Sequence, residues 1–308
     1  MAKKTDKIKF ELTHPGPRFP EPYKYRGVYK VKGITLNYML ENLVWHWAAL
    51  GEDYKKLPQY TINARPTIER WANPELKGLE FPKDYEAVMA SMTADREAEK
   101  EAKKLANTKE AREAKKAENE KIKQQYGLGM LDGNVQQLGG YTLEPEGWYI
   151  GRGDCPLSGR WKYAIQPEDV TINYVSDDMT NCPKAPDGHN WKGVVSNKNA
   201  FVTFYYDIHI GEGYVDLHKK IGFGANSSVK KDADIHKYDK AQALTKEWNK
   251  IENWVNEGVK AGKQEAVIAW LILRTGIRVG GEKCETFENG TVGASTLKVE
   301  NIKLKKLP

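Results

Sequence analysis

The stretch GRGDCPLSGRWKY combines glycines and basic side chains in a spacing that suits binding to a polyanion. Gly151 and Gly153 let the backbone approach a ligand closely, and Arg152 between them can present a planar fork of donors to a phosphate or a base edge. Arg160 and Lys162 are two residues apart on a predicted strand, so they share one face. These residue types predict contacts to a nucleic-acid backbone.

A second basic position stands in the sequence TGIRVGGEK. Arg278 lies there at the end of a predicted helix, where a cation also complements the helix dipole. The residue alone therefore does not decide between stabilising the helix and binding a phosphate. The stretch lacks the glycine spacing and the Ser or Thr after Lys of a P-loop, so no ATP site is indicated.

Composition permits a polyanionic partner, because the 308 residues carry a formal net charge of +6 and 29% of them are charged. The three cysteines are far apart and form no CxxC pair, which favours reduced thiols over a zinc site or a disulfide framework. No apolar leader and no run of about eighteen apolar residues occurs. We expect an intracellular protein with no cofactor, no bound metal and no membrane, in which the Arg-Gly-Asp tripeptide is not an adhesion site.

The predicted elements change character along the chain. Residues 1–35 are rich in Pro, Gly and Tyr and predict an extended segment with short strands. Helical spacing of apolar residues predicts a helix from Thr35 to about Tyr54, with Thr35 as its cap and Gly51 as its terminator. Between Phe81 and Gln125 the composition of Ala, Glu and Lys predicts a long charged helix or a helical hairpin.

A break in that charged stretch is predicted at Asn107 and Thr108, where Thr108 can cap a new helix. After Gly127, alternation and β-branched or aromatic residues predict strands up to about His218. Helices return from Asp232, and the stretch KQEAVIAWLILRTGIRVGG predicts a buried helix that ends at glycines.

Five stretches in the same order resemble motifs of one family. They are HPGPRFPEPY, residues 126–174 with EPEGWYIGRGDCPLSGRWK and PEDVTIN, then DGHNWKGVV, HKYDKAQALTK and the run that begins LRTGIRVGGEK. The chain thereby resembles the core of type IB DNA topoisomerases of the eukaryotic nuclear kind over nearly its whole length. The resemblance implies an α+β fold with a β-rich DNA-binding lobe, an inserted helical cap and the first helices of a recombinase-like catalytic core.

The resemblance also implies a domain organisation. Residues 1–214 form the DNA-binding clamp lobe, with the helical cap at about 35–125 and the β-rich core at about 126–214, and residues 215–308 begin the catalytic core. In the family these parts close around duplex DNA. Three further lysines stand at or beside family motifs and are assigned to DNA binding: Lys192, Lys237 and Lys283.

Type IB enzymes cleave one DNA strand through a 3′-phosphotyrosine and reseal it without ATP or an obligate metal. Arg278 matches the first catalytic arginine of the family, which stabilises charge on the scissile phosphate. The family's lysine, second arginine, histidine and tyrosine lie beyond this point, and the thirty residues after Arg278 contain no Tyr and no His.

Three hypotheses follow. The chain is the DNA-binding half of a split or truncated type IB topoisomerase, inactive alone, whose partners are double-stranded DNA and a second polypeptide carrying the remaining catalytic residues. Alternatively it is a non-catalytic DNA-binding clamp derived from that family, or a helical scaffold that binds protein. We adopt the first, and expect a nuclear location if the source is eukaryotic and a cytoplasmic or viral one otherwise.

Overall fold

The computed structural model describes residues 10–151, 155–198, 200–212, 215–280 and 292–303, with the backbone alone at 215–217. Three predicted DNA contacts, Arg152, Gly153 and Lys283, lie outside this part of the chain. The chain forms two compact units, Met1–Ile150 with Leu157–Lys231 and Gly151–Pro156 with Asp232–Pro308. The domain boundary between residues 214 and 215 stays a prediction. Helices and sheets both occur, which confirms the α+β class.

Helices dominate the first unit up to residue 126. They are α1 (Tyr38–Ala48), α2 (Glu52–Lys55), α3 (Pro58–Trp71), α4 (Glu86–Leu105) and α5 (Lys109–Tyr126). Asn37 caps α1, because its side chain accepts a hydrogen bond from the Leu40 backbone N–H. The predicted cap, Thr35, is wrong, since Thr35 belongs to a two-residue strand before that turn. The predicted terminator is also wrong, because α1 ends at Ala48 and Gly51 is the cap residue of α2.

The charged stretch forms two helices, α4 and α5. The Thr108 hydroxyl accepts a hydrogen bond from the Ala111 backbone N–H at 3.2 Å, which confirms the predicted break at Asn107 and Thr108. Helix α4 buries Val88 and Met92 in the cap core. All 18 residues of α5 are described and none of them is buried, so this helix is a solvated charged element.

Strands dominate from residue 127 to 222, as the alternation predicts, and three two-residue strands precede α1. In chain order they are β1 (Leu12–Thr13), β2 (Lys30–Val31), β3 (Ile34–Thr35), β4 (Leu128–Leu131), β5 (Asn134–Gln137), β6 (Gly147–Trp148), β7 (Trp161–Lys162), β8 (Val170–Asn173), β9 (Gly193–Val195), β10 (Val202–Ile210) and β11 (Val215–Gly222). The main sheet has the order β6, β7, β10, β8, β9, and β11 pairs with the other edge of β10. Strands β1, β4 and β5 form a second sheet.

Three buried tryptophans join the cap to the main sheet. Trp47 of α1, Trp148 of β6 and Trp161 of β7 are at most 7% exposed. The Trp148 ring packs edge to face against both others, with centroids 5.4 Å from Trp47 and 5.1 Å from Trp161. Its indole N–H donates to the Leu43 carbonyl at 3.1 Å. Aromatic pairs of this kind add about 0.5–1.5 kcal/mol each beyond the burial of apolar area. Because the three rings are in contact, the cap and the sheet share one core.

The loop before β7 packs directly on α3. The Asn63 side-chain amide donates to the Ser158 carbonyl at 2.7 Å. Gly159 has φ +86°, and a Cβ there would lie 2.4 Å from the Cα of Tyr60. Both the left-handed backbone and the close approach require glycine at this point. The contact fixes the start of the strand that carries Lys162.

The second unit is built from helices. Helix α6 (Ser228–Lys246) leads into it, and α7 (Trp248–Lys260) and α8 (Gln264–Thr275) follow. Helices α7 and α8 approach closely at Gly258, where a Cβ would lie 2.4 Å from the Ala266 Cβ. Gly276 ends α8 with φ 67°, which confirms the predicted glycine terminator. The prediction of a buried helix is wrong, because Ala266 is the only fully buried residue of α8. Apolar side chains occur on all sides of this helix.

His14 is held neutral inside the first unit. It is 5% exposed, its Nε2–H donates to the Asn173 carbonyl at 3.0 Å, and its Nδ1 accepts from the Gly16 N–H at 3.1 Å. Burial lowers the pKa of His14 from 6.5 to about 4, although the hydrogen bond to Asn173 opposes that effect. Protonation of Nδ1 would also break the bond from Gly16.

Replacement of Gly159 by alanine is expected to lower the free energy of unfolding by about 3 kcal/mol, because strained backbone costs about 1–3 kcal/mol and overpacking a similar amount. Urea unfolding measures the loss. Gly78→Ala is the matched control, because Gly78 also has a positive φ, +84°, but no atom lies within 4 Å of where its Cβ would stand. Equal losses in the two variants would contradict the packing argument.

Stability is expected to fall as the pH drops from about 6.5 through 4, because the unfolded His14 binds a proton in this range and the folded one does not. The measurement is the free energy of unfolding in urea at a series of pH values. His14→Gln removes the titrating group and should flatten this part of the profile. An equally steep profile in the variant would assign the pH dependence to other groups.

Candidate nucleic-acid interface

Two lysines from different strands meet at one carboxylate. Lys162 of β7 donates to Glu144 Oε2 at 3.0 Å, and Lys219 of β11 donates to Glu144 Oε1. The side chains of Lys162 and Glu144 are 16% and 33% exposed, and that of Lys219 is 45% exposed. We call these three residues the Glu144 cluster. Two ammonium groups and one carboxylate leave it with one positive charge in excess.

Strand pairing explains why the two lysines meet. On β10, Ile210 pairs with Lys162 and Tyr206 pairs with Lys219. Side chains alternate along a strand, so positions 206 and 210 share a face of β10 and their partners share it too. The register of β10 with its two neighbours therefore places both ammonium groups on one side of the sheet.

The two ammonium groups keep Glu144 ionised. Burial would raise the pKa of the Glu144 carboxyl, but the hydrogen bonds from Lys219 and Lys162 outweigh it, so the pKa lies below its usual range. Covering an ammonium group without a hydrogen-bond acceptor costs free energy, and Glu144 supplies the acceptor for Lys162. Glu144 thus fixes two charged donors at the surface, where each ammonium group retains further N–H groups for a second anion.

Arg160 stands beside this cluster along the chain. The burial pattern, with Trp161 buried between half-buried Arg160 and Lys162, fits the predicted two-residue period. The stem of Arg160 packs on Gly211, where a Cβ would lie 2.8 Å from the arginine Cδ. The Arg160 carbonyl accepts a hydrogen bond from the Tyr149 N–H at 2.8 Å. The first contact holds the stem of the arginine and the second its backbone, while the alternation of side chains along a strand directs Arg160 away from the face of the buried indole.

A second cluster of charged and polar side chains lies on the opposite face of β10. Asp207 accepts hydrogen bonds from Lys192 Nζ and from His218 Nδ1, the latter at 2.8 Å. Asp207 directly follows Tyr206, so the two side chains point to opposite faces of the strand. We call Lys192, His218 and Asp207 the Asp207 cluster. The structure therefore does not bring Lys192 together with the Glu144 cluster, and its contact with DNA stays a prediction.

Lys237 is an exposed residue of α6. Its side chain is 75% exposed and pairs with Asp234 one turn earlier at 2.8 Å. The hydrogen bond that Lys237 donates to Asp234 raises the pKa of Lys237. The described side chains of α6 include no buried one, so the helix presents its charges to solvent.

Arg278 lies in the second unit, just after the end of α8. Its carbonyl accepts a hydrogen bond from the Ala294 N–H at 2.8 Å, which fixes the backbone. Its exposed guanidinium forms no hydrogen bond or ion pair with any residue in the described ranges. Arg274, one turn earlier, instead donates to Glu252 Oε1 at 2.6 Å. One arginine thus stabilises the packing of α7 with α8, and the other is exposed to solvent.

Sequence reasoning missed Lys219 and the part played by Glu144. The available indication was the lysine pair in LHKKIG, because consecutive residues of a strand point to opposite faces and one of the two must face the same side as Lys162. Gly151 is half-buried, at the last described position before Arg152. The two lysine clusters belong to the first unit and Arg278 to the second.

Within the described ranges, no group of three or more His, Cys, Asp or Glu side chains is arranged to hold a metal ion. No helix among the same residues is long and apolar enough to span a bilayer. Cys155 and Cys182 are free thiols, the first buried and the second partly exposed.

Comparison with known proteins gives consistent matches along the chain. The family profile for the eukaryotic DNA topoisomerase I, DNA binding fragment, matches residues 9–215, and the profile for the catalytic core of the same enzyme matches residues 226–307. DNA topoisomerase 1 of Candidozyma auris is 29% identical over 96% of this chain and 40% of its own length. DNA topoisomerase 1 of Homo sapiens is 29% identical over 95% of this chain and 39% of its own length.

DNA topoisomerase 1 alpha of Arabidopsis thaliana is 32% identical over 94% of this chain and 32% of its own length. The chain therefore spans between 32% and 40% of the length of these three relatives. The first profile alone covers more than half of the 308 residues. This chain belongs to the eukaryotic DNA topoisomerase I family.

Proposed function

We propose that this chain is the DNA-binding part of a type IB DNA topoisomerase, which relaxes supercoils by transient cleavage of one strand. The tyrosine that forms the 3′-phosphotyrosine is supplied from outside residues 1–308. The observation that carries the proposal is the Glu144 cluster, in which Lys162 and Lys219 are fixed at a surface with one charge in excess. Family membership supports the reaction class.

The Glu144 cluster suits a DNA backbone for a geometric reason. Each lysine already has one acceptor, so its position is fixed before DNA arrives, and its remaining N–H groups can reach phosphate oxygens. Arg160 adds a third cation from the same strand region. Phosphate contacts of this kind carry affinity rather than sequence preference.

The proposed role of Arg278 is to stabilise the negative charge that develops on the scissile phosphate. A guanidinium can form two parallel hydrogen bonds to phosphate oxygens, and it stays charged at any working pH. The exposed position after α8, with no pairing to a described residue, leaves the group available for that contact. Arg274 does not suit this role, because Glu252 holds it.

The partner we propose is a second polypeptide that carries the remaining catalytic residues. Apolar side chains on α7 and α8 support it, since Trp254 is 52% exposed, Trp270 38% and Val267 39%. Two tryptophans exposed to this extent favour a protein contact over a solvated surface. The occupant of this surface is the rest of a topoisomerase core, because the relatives that match the chain extend well beyond the matched part.

Lys162→Ala and Lys219→Ala are each expected to weaken binding to a short DNA duplex and to reduce the slope of log affinity against log salt by about 0.9, because each removes one phosphate contact. Fluorescence anisotropy at several salt concentrations measures both quantities. Lys192→Ala tests the predicted contact on the opposite face separately, and a similar reduction of the slope would support it. Unchanged slopes in both Lys162→Ala and Lys219→Ala would contradict a phosphate contact at the Glu144 cluster.

Arg278→Ala is expected to lower the rate of plasmid relaxation by about 100-fold or more, the usual loss when one group that stabilises the transition state is removed. The assay uses negatively supercoiled plasmid without ATP and the chain supplemented with the C-terminal part of a eukaryotic topoisomerase 1. Arg274→Ala is the matched control and should relax within a few-fold of the unchanged chain. If the supplemented chain binds DNA but never relaxes it, the hypothesis of a non-catalytic DNA-binding clamp is favoured.

A further inference from the structure

A cavity of about 610 Å³ lies in the first unit, between the cap and the main sheet. Met39 at the start of α1 and Trp71 at the end of α3 form its apolar side. Glu146, Asp169 and His209 contribute its polar side. The volume falls in the range of about 300–1,000 Å³ that is usual for small-molecule sites. None of the residues assigned above to DNA binding lines it.

Glu146 places an uncompensated charge in this cavity. Its Oε1 accepts a hydrogen bond from the Asn42 side-chain amide at 2.8 Å. Its Oε2 has no hydrogen-bond donor, and the carboxylate no Lys or Arg partner, among the residues that the structure describes. The nearby imidazole of His46 does not compensate the charge, because burial lowers the pKa of His46. Burial and the charge of Glu146 raise the pKa of Tyr38.

The other charged groups of the wall are already paired. Asp169 accepts from His209 Nε2 at 2.7 Å and from the Gln166 backbone N–H at 2.8 Å. Glu212, close by, is bound by Arg70 and by the Tyr163 hydroxyl. The arginine and the imidazole are therefore engaged by carboxylates of their own, and the negative charge of Glu146 remains.

The apolar side of the cavity has a flat surface. The Trp71 side chain is 37% exposed, and Met39 and Tyr163 are partly buried beside the cavity. The faces of an indole and of a phenol ring attract positive charge, and the Arg70 guanidinium already lies over one face of Trp71, 5.4 Å from the ring centroid. A planar group can therefore stack on the other face of Trp71 or on the ring of Tyr163. An anionic ligand is disfavoured here, because it would approach the carboxylate of Glu146 without a free cation to receive it.

We propose that this cavity binds an organic cation, an amidinium or guanidinium group joined to a flat apolar body. The cationic group donates hydrogen bonds to the Glu146 carboxylate, and the flat body lies against Trp71. A planar amidinium matches a carboxylate better than a compact ammonium does, because two parallel N–H groups can reach it. The site is separate from the proposed DNA contacts and does not depend on them.

Benzamidinium is the probe, titrated into the full chain by calorimetry at low salt. We expect a dissociation constant of about 1 mM or tighter, which is within reach for a ligand of this size. Benzoate, with the opposite charge, and benzyl alcohol, with none, should bind at least about 10-fold more weakly. Equal binding of benzoate, or no heat from benzamidinium at concentrations well above that value, would overturn the proposal.

Glu146→Gln removes the charge and keeps the acceptor for Asn42, so it should weaken benzamidinium binding by about 10-fold or more. Glu120→Gln on the solvated helix α5 removes the same charge elsewhere and should leave the affinity unchanged. Trp71→Leu retains Glu146 and should weaken binding through loss of the flat wall, which keeps the test valid if Glu146→Gln does not fold. Unchanged affinity in a folded Glu146→Gln variant would refute the site.

Duplex binding by Glu146→Gln is the second readout. It should equal that of the unchanged chain, because the Glu144 cluster is intact. Loss of benzamidinium binding together with unchanged DNA binding and an unchanged unfolding transition is the expected result. Parallel loss of both activities would show that the variant disturbs the fold rather than a cation site.

Discussion

The packing of Trp161 against Trp148 is the contact on which the rest of the first unit depends. Trp161 is fully buried, and a strand alternates its side chains, so its burial directs Arg160 and Lys162 to the other side of β7. The same pair of rings continues to Trp47 and so holds the cap on the sheet. One buried indole therefore fixes both the attachment of the cap and the direction of the basic residues.

A carboxylate between two lysines has opposing effects on the DNA contact that we propose there. Glu144 offsets part of the positive charge that attracts phosphates. It also holds two long side chains in place, and ordering such a side chain otherwise costs about 1.5–2 kcal/mol. Because Lys162 is mostly covered, its ammonium group would lose hydration with no hydrogen bond in exchange if Glu144 were absent. The arrangement thus lowers the net positive charge of the Glu144 cluster but holds both of its ammonium groups in place.

Local features of this fold could be predicted from sequence, and features that depend on strand pairing could not. Thr108 begins α5 and Gly276 ends α8 because capping depends on a few neighbouring residues. Thr35 failed as a cap because pairing with the preceding strand fixes it as a strand residue, and Asn37 supplies the side-chain oxygen instead. Lys219 was missed because only the register of β10 with β11 shows which of two adjacent lysines faces Lys162.

The two glutamates of the stretch TLEPEG also show that the local sequence does not predict the tertiary partners of a side chain. Glu144 and Glu146 are two residues apart and of the same type, yet among the described residues one binds two lysines and the other only a neutral amide. Their neighbours come from distant parts of the chain: β7 and β11 for the first, α1 for the second. Among the described residues, the first glutamate and its partners therefore carry a positive charge in excess, and the second glutamate and its partner a negative one. Tertiary packing, and not the local sequence, gives Glu144 and Glu146 opposite electrostatic surroundings.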